Sequence, residues 1–469
     1  MNVRSGNNKK ILHKINKLTL STMACSISFM IGKNAVFNAI DIIKIVLYAS
    51  IRKLSVEGSS EELMALCKDR TCSPDVVQRR IKWKSESRIL EDFKDAQEKI
   101  YSILRKMRIP FSKVTIAIDF TDKLYYGNKN DRGVVGTKHQ RGTSYCFRYI
   151  TLSIVIEEAK IALIALPVKP FSDKAKLVDE LLTWAERKVR ISLVLLDRGF
   201  FTKKVIKVLE KHQLKFLLPV PKNKLVKKTI REAHKSKELV TTYEFKQKKK
   251  IVGSFTIFFV LDPDCKKREI WKRYHAFGTN LPVNDLTREN IAEVYRKRWG
   301  IETSYRVEKH DFLAETTSKS YEFRLFLFLV ALILYNFWMI LRCIIGEKFY
   351  ARRWKTSIYV MLYSSSLSST VFDNDMEKSE EKTVSFDISI SVSYVKTWCF
   401  WLKNRRSYNL YYGFWHSLHQ NYQKTNDLAQ VWAVSCESTV SKNPTNLSKN
   451  IYIRTYKTIL HSFIMQEEG

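Results

Sequence analysis

The sequence predicts an α/β fold, a mixed sheet flanked by helices, and three observations carry that expectation. Three β-branched, largely apolar runs follow one another: VTIAIDF (114–120), YCFRYITLSIVI (145–156) and IALIALPV (160–167). Strand and helix patterns then alternate, with a helical stretch at Asp173–Lys188, a strand ISLVLLD (191–197), a helix at Thr202–His212 and a strand KFLLPVP (215–221). Hydrophobic residues make up 45% and aromatics 12% of the 469 residues, enough to bury sizeable cores and to exclude a wholly disordered chain. A chain of this length exceeds one core, so two or three domains are expected at roughly 100–200 residues each.

Residues 1–110 read as a helical N-terminal domain, with apolar spacing at 3.6 residues in Phe37–Leu54 and Ile89–Met107. Between these lies SSEELMALCKDRTCSPDVVQRRIKW (59–83), a pair of short helices. Ser73-Pro74-Asp75 marks the second start: a hydroxyl N-cap, proline at the first helical position, then an acid in the first turn. That helix turns Val77 and Ile81 inward and presents Gln78, Arg79, Arg80 and Lys82. A basic second helix in such a pair suits docking on DNA through Arg79 and Arg80. Basic helix pairs with no such role show the same pattern.

The strands and helices of 111–221 form the first part of a core that resumes at 286–345. Residues 222–285 interrupt it as a basic, β-rich insertion: 221–250 holds 11 Lys and Arg against three Glu, and KIVGSFTIFFVLD and REIWKRYHAFGTN read as strands. Lys222, Lys224, Lys227 and Lys228 are read as a flexible cluster suited to phosphate charge. Helices return at about Asn284. Residues Leu325–Leu341 carry no charge over 17 positions, at the short limit for a membrane span. Asn336 and Tyr335 would be costly facing lipid, so a buried helix packed on the sheet is expected and no membrane association. Residues 346–469 change character, with a serine-rich stretch, the acidic run Asp373–Glu381 and the aromatic-rich WCFWLKNRRSYNLYYGFWHS; their role is left open.

Charge narrows the function. Lys and Arg number 81 against 47 Asp and Glu, a formal net charge of +34. Such a surplus repels itself in a compact state and suits a polyanionic partner, nucleic acid above all; a basic structural protein is the blander reading. The eight cysteines include no CxxC pair and no set of zinc ligands, and scattered thiols suit a reducing interior. The polar start, MNVRSGNNKKILHKINK, does not read as a secretory signal, so a cytoplasmic protein is expected.

The residues suited to chemistry are acidic. Asp119 is read as closing the first strand and Asp197 as closing ISLVLLD, followed by Arg198-Gly199. Carboxylates at the ends of neighbouring buried strands can converge on a hard cation such as Mg²⁺, although either residue alone also serves as a turn former. Asp122, three residues on, competes with Asp119 for this place. Downstream, IAEVYRKRWGIETSYRVEKHDF (291–312) reads as one helix despite Gly300, which costs about 1 kcal/mol of propensity. Tyr295, Arg298, Glu302 and Lys309 stand at offsets 0, 3, 7 and 14, within roughly 60° of one another on a helix. Val294, Ile301, Tyr305 and Phe312 form an apolar stripe beside them.

This series, Asp119, Asp197 and Glu302 with Tyr295, Arg298 and Lys309 around the glutamate, resembles the cut-and-paste insertion-sequence transposases of the DDE type. It is similar in particular to the subgroup with a Tyr-x2-Arg-x3-Glu-x6-Lys signature, all four positions of which are present; Trp299-x-Ile301-Glu302 fits the same context. DRGFF and YYG look like archaeal-type members. The likeness runs from about residue 50 to 345 and does not extend beyond 350. It implies a ribonuclease-H-like catalytic core interrupted before the glutamate helix. It further implies that Asp119, Asp197 and Glu302 ligate two divalent ions, Mg²⁺ or Mn²⁺, for cleavage at transposon ends and strand transfer into target DNA. Tyr295, Arg298 and Lys309 would grip the end's backbone, with Trp299 on a nearby base or in the core, and a homodimer would hold paired ends. A ribonuclease-H-like nuclease without strand transfer, or an inactive DNA-binding derivative, are the alternatives.

Overall fold

In a computed structural model the described residues are 2–367, apart from 68–70, 108–112, 156–159, 248–249, 285–286, 297, 299 and 346–348. Within them, five helices come first: α1 (Asn2–Ser26), α2 (Ala39–Arg52), α3 (Val56–Cys67), α4 (Pro74–Lys82) and α5 (Glu86–Lys106). Helix α2 begins with a capping box, Asn38 accepting from the Asp41 N–H while Asp41 accepts from the Asn38 N–H. At α4, Pro74 takes the first turn as the sequence predicts, but Ser73 makes no side-chain cap bond; Val77 and Ile81 are buried as expected.

The sheet has nine strands: β1 (Val114–Tyr125), β2 (Val135–Gln140), β3 (Thr143–Val155), β4 (Lys160–Val168), β5 (Ile191–Leu196), β6 (Phe216–Pro219), β7 (Val240–Gln247), β8 (Lys250–Leu261) and β9 (Tyr274–Thr279). They run β2-β3-β1-β5-β6-β9-β8-β7, with β4 also on β3. Strands β4, β3 and β1 are mutually antiparallel, and β1, β5 and β6 are parallel. This mixed sheet, three antiparallel strands continued by two parallel ones and flanked by helices, is the ribonuclease-H-like arrangement.

Two helices, α6 (Lys174–Glu186) and α7 (Lys203–Lys211), cover one face of the sheet. Ala175, Val178, Leu182, Val205 and Leu209 pack there on Ile116, Ile118, Val194 and Leu196. Alternate residues, Ala117 and Leu195, point to the other face and meet Ala292 and Tyr305 of the glutamate region.

The segment 222–285 departs from its sequence reading in two ways. It opens with helix α8 (Lys224–Ser236), capped by Asn223, whose side chain accepts from the Val226 N–H at 2.9 Å. Val226, Ile230 and Ala233 are its buried face, a helical spacing masked in the sequence by the lysines around it. The four lysines therefore belong to a structured surface: Lys227 lies 4.1 Å and Lys222 5.9 Å from the ring centre of Trp271. Second, β7–β9 continue the core sheet, since β9 pairs with β6 from Leu217↔Thr279 to Pro219↔Phe277.

The predicted single helix over 291–312 is broken. Helix α9 (Arg288–Arg296) stops, α10 (Gly300–Val307) restarts at the glycine, and Glu308–Phe312 form a π-helical turn. Glycine at the junction lowers helical propensity, and a π turn shifts the angular phase of the residues after it.

Helix α11 (Tyr321–Ile345) confirms the reading of the apolar stretch: it is long and apolar enough to cross a membrane, yet every residue from Leu325 to Leu341 is buried against protein. It lies between the sheet and the N-terminal helices. Phe328 stacks on Tyr149 of β3 at 3.7 Å. Asn336 donates to Gln97 of α5 at 2.9 Å and to the Ala162 carbonyl at 2.7 Å, and accepts from the Ala162 N–H at 3.0 Å. One amide thus caps the open edge of β4 at the irregularity in its pairing with β3. Of the region beyond 345, helix α12 (Ala351–Leu367) packs Trp354 into the N-terminal core, its indole N–H donating to Asn16 at 2.9 Å. Residues 368–469, with the serine-rich end, acidic run and aromatic stretch, lie outside the described residues.

Candidate active site

The site grows from the register of two parallel strands. β1 and β5 pair through Ala117↔Leu195 and Ile118↔Leu196, so Asp119 and Asp197 stand one residue beyond the last pair. By the period of two, both carboxylates share the sheet face of Ala117 and Leu195, the face toward α9 and α10. Asp197 ends its strand as expected and caps a turn, Arg198–Phe200, accepting from the Gly199 N–H at 3.3 Å. Asp119 does not end β1. The strand runs on to Tyr125 because β3 remains beside it, Asp119 opposite Thr151 through Tyr125 opposite Tyr145. What ends at Asp119 is the pairing with β5, and that opening lets its carboxylate meet a third element.

The third element brings Arg298. Its guanidinium donates to Asp119 Oδ2 at 2.7 Å and lies 4.0 Å from Asp197 Oδ1, bridging the two carboxylates. Asp119 and Arg298 are 7% and 8% exposed, a nearly buried pair, whereas the Asp197 side chain is 43% exposed and opens to solvent. Tyr295 lies beside Arg298, ring to guanidinium 5.3 Å, and its hydroxyl donates to the Leu196 carbonyl at 3.1 Å. Burial raises the Tyr295 phenol, with Arg298 partly opposing, so it stays a neutral donor. The buried Tyr305 hydroxyl bonds Thr151, the residue opposite Asp119.

Lys309 reaches the same strand by another route, donating to the Asp122 carbonyl at 3.1 Å. Tyr295 and Arg298 therefore meet where the β1–β5 pairing ends, whereas Lys309 meets β1 three residues further on, at Asp122. Glu302 sits on α10; its side chain, like that of Ile301, and all of Trp299 lie outside the described residues. Among the described residues no group of three or more His, Cys, Asp or Glu is close enough to hold a metal ion. The donor set present still suits a hard divalent cation: two carboxylates on one sheet face, close enough to share one guanidinium, with one open to solvent.

Asp122 is committed elsewhere. Arg148 donates to both its oxygens at 2.7 Å, and Thr137 donates at 2.9 Å. Burial would raise this carboxyl, but Arg148 and Thr137 outweigh it and hold it below the usual carboxylate range. Nothing in the sequence pairs Asp122 with Arg148, because the partner is set by the antiparallel β1–β3 register. The same holds for Glu308, next to Lys309. It is 1% exposed, Oε1 has no hydrogen-bond partner among the described residues, and burial pushes it up to about 8 despite the lysine.

Arg79 and Arg80 sit on α4 beside Trp83, their guanidinium carbons 5.5 and 5.4 Å from its ring; Trp83 is 57% exposed. Lys224 and Lys228 lie on α8, Lys228 facing Glu232 at 3.6 Å. Neither group lies on the elements that carry the aspartates.

Residues 110–337 match the family model described as a transposase DDE domain, a range that spans β1 to α11 and includes both aspartates, Arg298 and Glu302. The chain therefore carries a domain of DNA transposition, one implying phosphoryl transfer. Among solved structures it is similar to a piggyBac transposase synaptic complex with hairpin DNA, at 14% identity and a TM-score of 0.45 over 81% of this chain and 85% of that one. It is also similar to a Mos1 strand transfer complex, at 14% identity and a TM-score of 0.15 over 34% of this chain and 56% of that one. No curated protein matches the chain in sequence.

Proposed function

We infer that this chain is a DNA transposase that cleaves DNA at transposon ends and joins them to a target through Asp119, Asp197 and Glu302. The observation that carries the reading is the β1–β5 register, which sets two carboxylates on one sheet face beneath the helix that bears Glu302. Charge supports the substrate: +34 over the chain, with basic surfaces on α4 and α8.

In this reading Asp119, Asp197 and Glu302 hold two divalent ions, Mg²⁺ or Mn²⁺, which supply Lewis-acid charge neutralisation at the phosphate. The chain's own residues do the rest. Tyr295 ties the glutamate region to the end of β5 through the Leu196 carbonyl. Arg298, a fork of donors already between the carboxylates, is placed to take a non-bridging phosphate oxygen. Lys309 holds the strand beyond Asp119 and offers charge to the backbone, and Trp299 follows Arg298 directly in the chain, suited to a base beside the cut. Lys222, Lys224, Lys227 and Lys228 meet duplex charge without reading sequence, and Arg79 and Arg80 contact the end. Two copies hold paired ends, and the protein acts on DNA in the cytoplasm of a prokaryote.

The test uses full-length protein and a supercoiled plasmid carrying the element's own termini, with Mg²⁺ or Mn²⁺. Wild type should release the termini and join them to a second plasmid. Asp119→Ala, Asp197→Ala and Glu302→Ala should each lower cleavage on the order of a thousandfold while duplex binding persists. Cleavage without joined product would favour a nuclease lacking strand transfer; full cleavage by any one variant would remove that residue from the triad.

A further inference from the structure

The aspartate pair has a second cation beside it, on the sheet face opposite Arg298. The residue after Asp119 and the third after Asp197 form a stacked pair: the rings of Phe120 and Phe200 lie 4.6 Å apart and 4° from parallel. Lys174, the first residue of α6, rests on both, its ammonium 5.7 Å from the Phe120 ring and 5.8 Å from the Phe200 ring. The ammonium donates to the Gly199 carbonyl at 2.5 Å, inside the turn that Asp197 caps. Arg148 also lies 5.9 Å from the Phe120 ring, and its Nε and Nη2 donate to Asp122. The neighbouring acid Asp173 is likewise taken by Lys204 at 3.0 Å.

Among the described residues Lys174 holds one carbonyl with one of its three donors and makes no ion pair with a carboxylate. A half-buried lysine beside an arginine, at the positive end of a helix, is electrostatically unfavourable in the free protein. Burial and Arg148 both lower its pKa, and Asp197 opposes them. Such an arrangement suits an anion that arrives later. Arg298 approaches the strand ends from the α9–α10 face and Lys174 from the α6 face. A phosphate at the aspartates would thus be approached by cations from both sides of the sheet.

We propose that Lys174 is a DNA-phosphate-binding residue of this active site, clamping the Asp197 turn through Gly199 and offering its remaining donors to the backbone phosphate beside the cut. The proposal rests on the catalytic reading of Asp119 and Asp197, and the experiment keeps the two separable. Full-length wild type, Lys174→Met, Lys174→Arg and Asp197→Ala are titrated with a mixed-sequence duplex across a salt series. Nicking of a supercoiled plasmid in Mn²⁺ is followed in parallel.

Lys174→Met keeps the apolar stem over Phe120 and Phe200. It should lower the slope of log K against log salt by about 0.9, the release of one counterion, and raise the apparent KM for DNA about tenfold with a smaller change in kcat. Lys174→Arg should restore the slope and most of the affinity. An unchanged slope in Lys174→Met overturns the proposal. So does a Lys174→Arg as defective as Lys174→Met, which would mean that the lysine serves only to hold the turn. Full nicking by Asp197→Ala would sink the catalytic reading instead, while the salt slopes would still report whether Lys174 binds phosphate.

Discussion

Two regions bury polar groups at neighbouring levels of the same sheet, and they treat them in opposite ways. On α11, Asn336 is neutral and satisfied, with three hydrogen bonds to Gln97 and both backbone groups of Ala162. Where the β1–β5 pairing ends, two carboxylates meet Arg298, and one carboxylate opens to solvent. A neutral, fully paired group inside a core specifies packing. Charges gathered at an opening, on separate chain segments, cost desolvation that packing does not require, and they suit a place where charge is exchanged with a partner.

The strongest way to break this comparison is on the α11 side. Leu332→Asp places an unpaired carboxylate among Leu325–Leu341 and should cost about 3–5 kcal/mol, leaving protein that is insoluble or cut readily by protease. Wild-type protein that fractionates with membranes and resists release by high salt would show instead that α11 spans a bilayer.

A matched pair of substitutions sharpens it. Asn336→Ala strips partners from the Ala162 backbone and Gln97 and should lower unfolding free energy by about 2 kcal/mol or more, with cleavage by the folded fraction retained. Asp197→Asn keeps an acceptor for the Gly199 N–H and should shift the melting temperature little while removing cleavage. Equal losses of stability in the two variants would erase the distinction.

Smaller effects test the cations. Removing the charge of Lys222, Lys224, Lys227 and Lys228 together should weaken binding to all duplexes about equally, and Arg298→Ala and Lys309→Ala should each lower the salt slope by about 0.9. Loss confined to the specific end would make the α8 surface part of sequence recognition. Unchanged slopes for the single variants would leave Arg298 and Lys309 with their partners inside the protein and no phosphate.

The smallest effect concerns Glu308. Its carboxyl is raised by burial to about 8 from an ordinary 4.5. The folded chain therefore binds this proton more tightly than the unfolded chain. Below about pH 4.5 the group has no effect; stability falls as pH rises between the two values, and the penalty is complete above about 8. Glu308→Gln should flatten that decline and raise the melting temperature most at alkaline pH. A variant with the wild-type pH profile would show that Glu308 ionises freely in the folded protein.

Much of the framework was legible in residue patterns. Hydrophobic period located β1, β3–β6, α2, α5, α6 and α7 within a few residues, because burying one face requires that spacing whatever the neighbours are. The short β2 and the helix α8 were not, one for lack of apolar residues and the other because charges hid its Val226–Ile230–Ala233 face. The site divides the same way. Asp119, Asp197 and the Tyr295–Arg298–Glu302–Lys309 series stand out by residue type, strand ends and spacing.

The sequence by itself thus determined most of the elements that form and which acidic and basic residues stand at strand ends and at helical spacing, since propensity, periodicity and side-chain chemistry are local properties. Tertiary structure alone decided who meets whom. The β1–β5 register made the two aspartates neighbours, the antiparallel β1–β3 register gave Asp122 to Arg148, and the breaks at Gly300 and Glu308–Phe312 turned a nominal stripe into three separate approaches. It also placed Lys174, 23 residues before Asp197 in the chain, against Gly199. Such pairings depend on register and loop closure between distant segments, which no local pattern encodes.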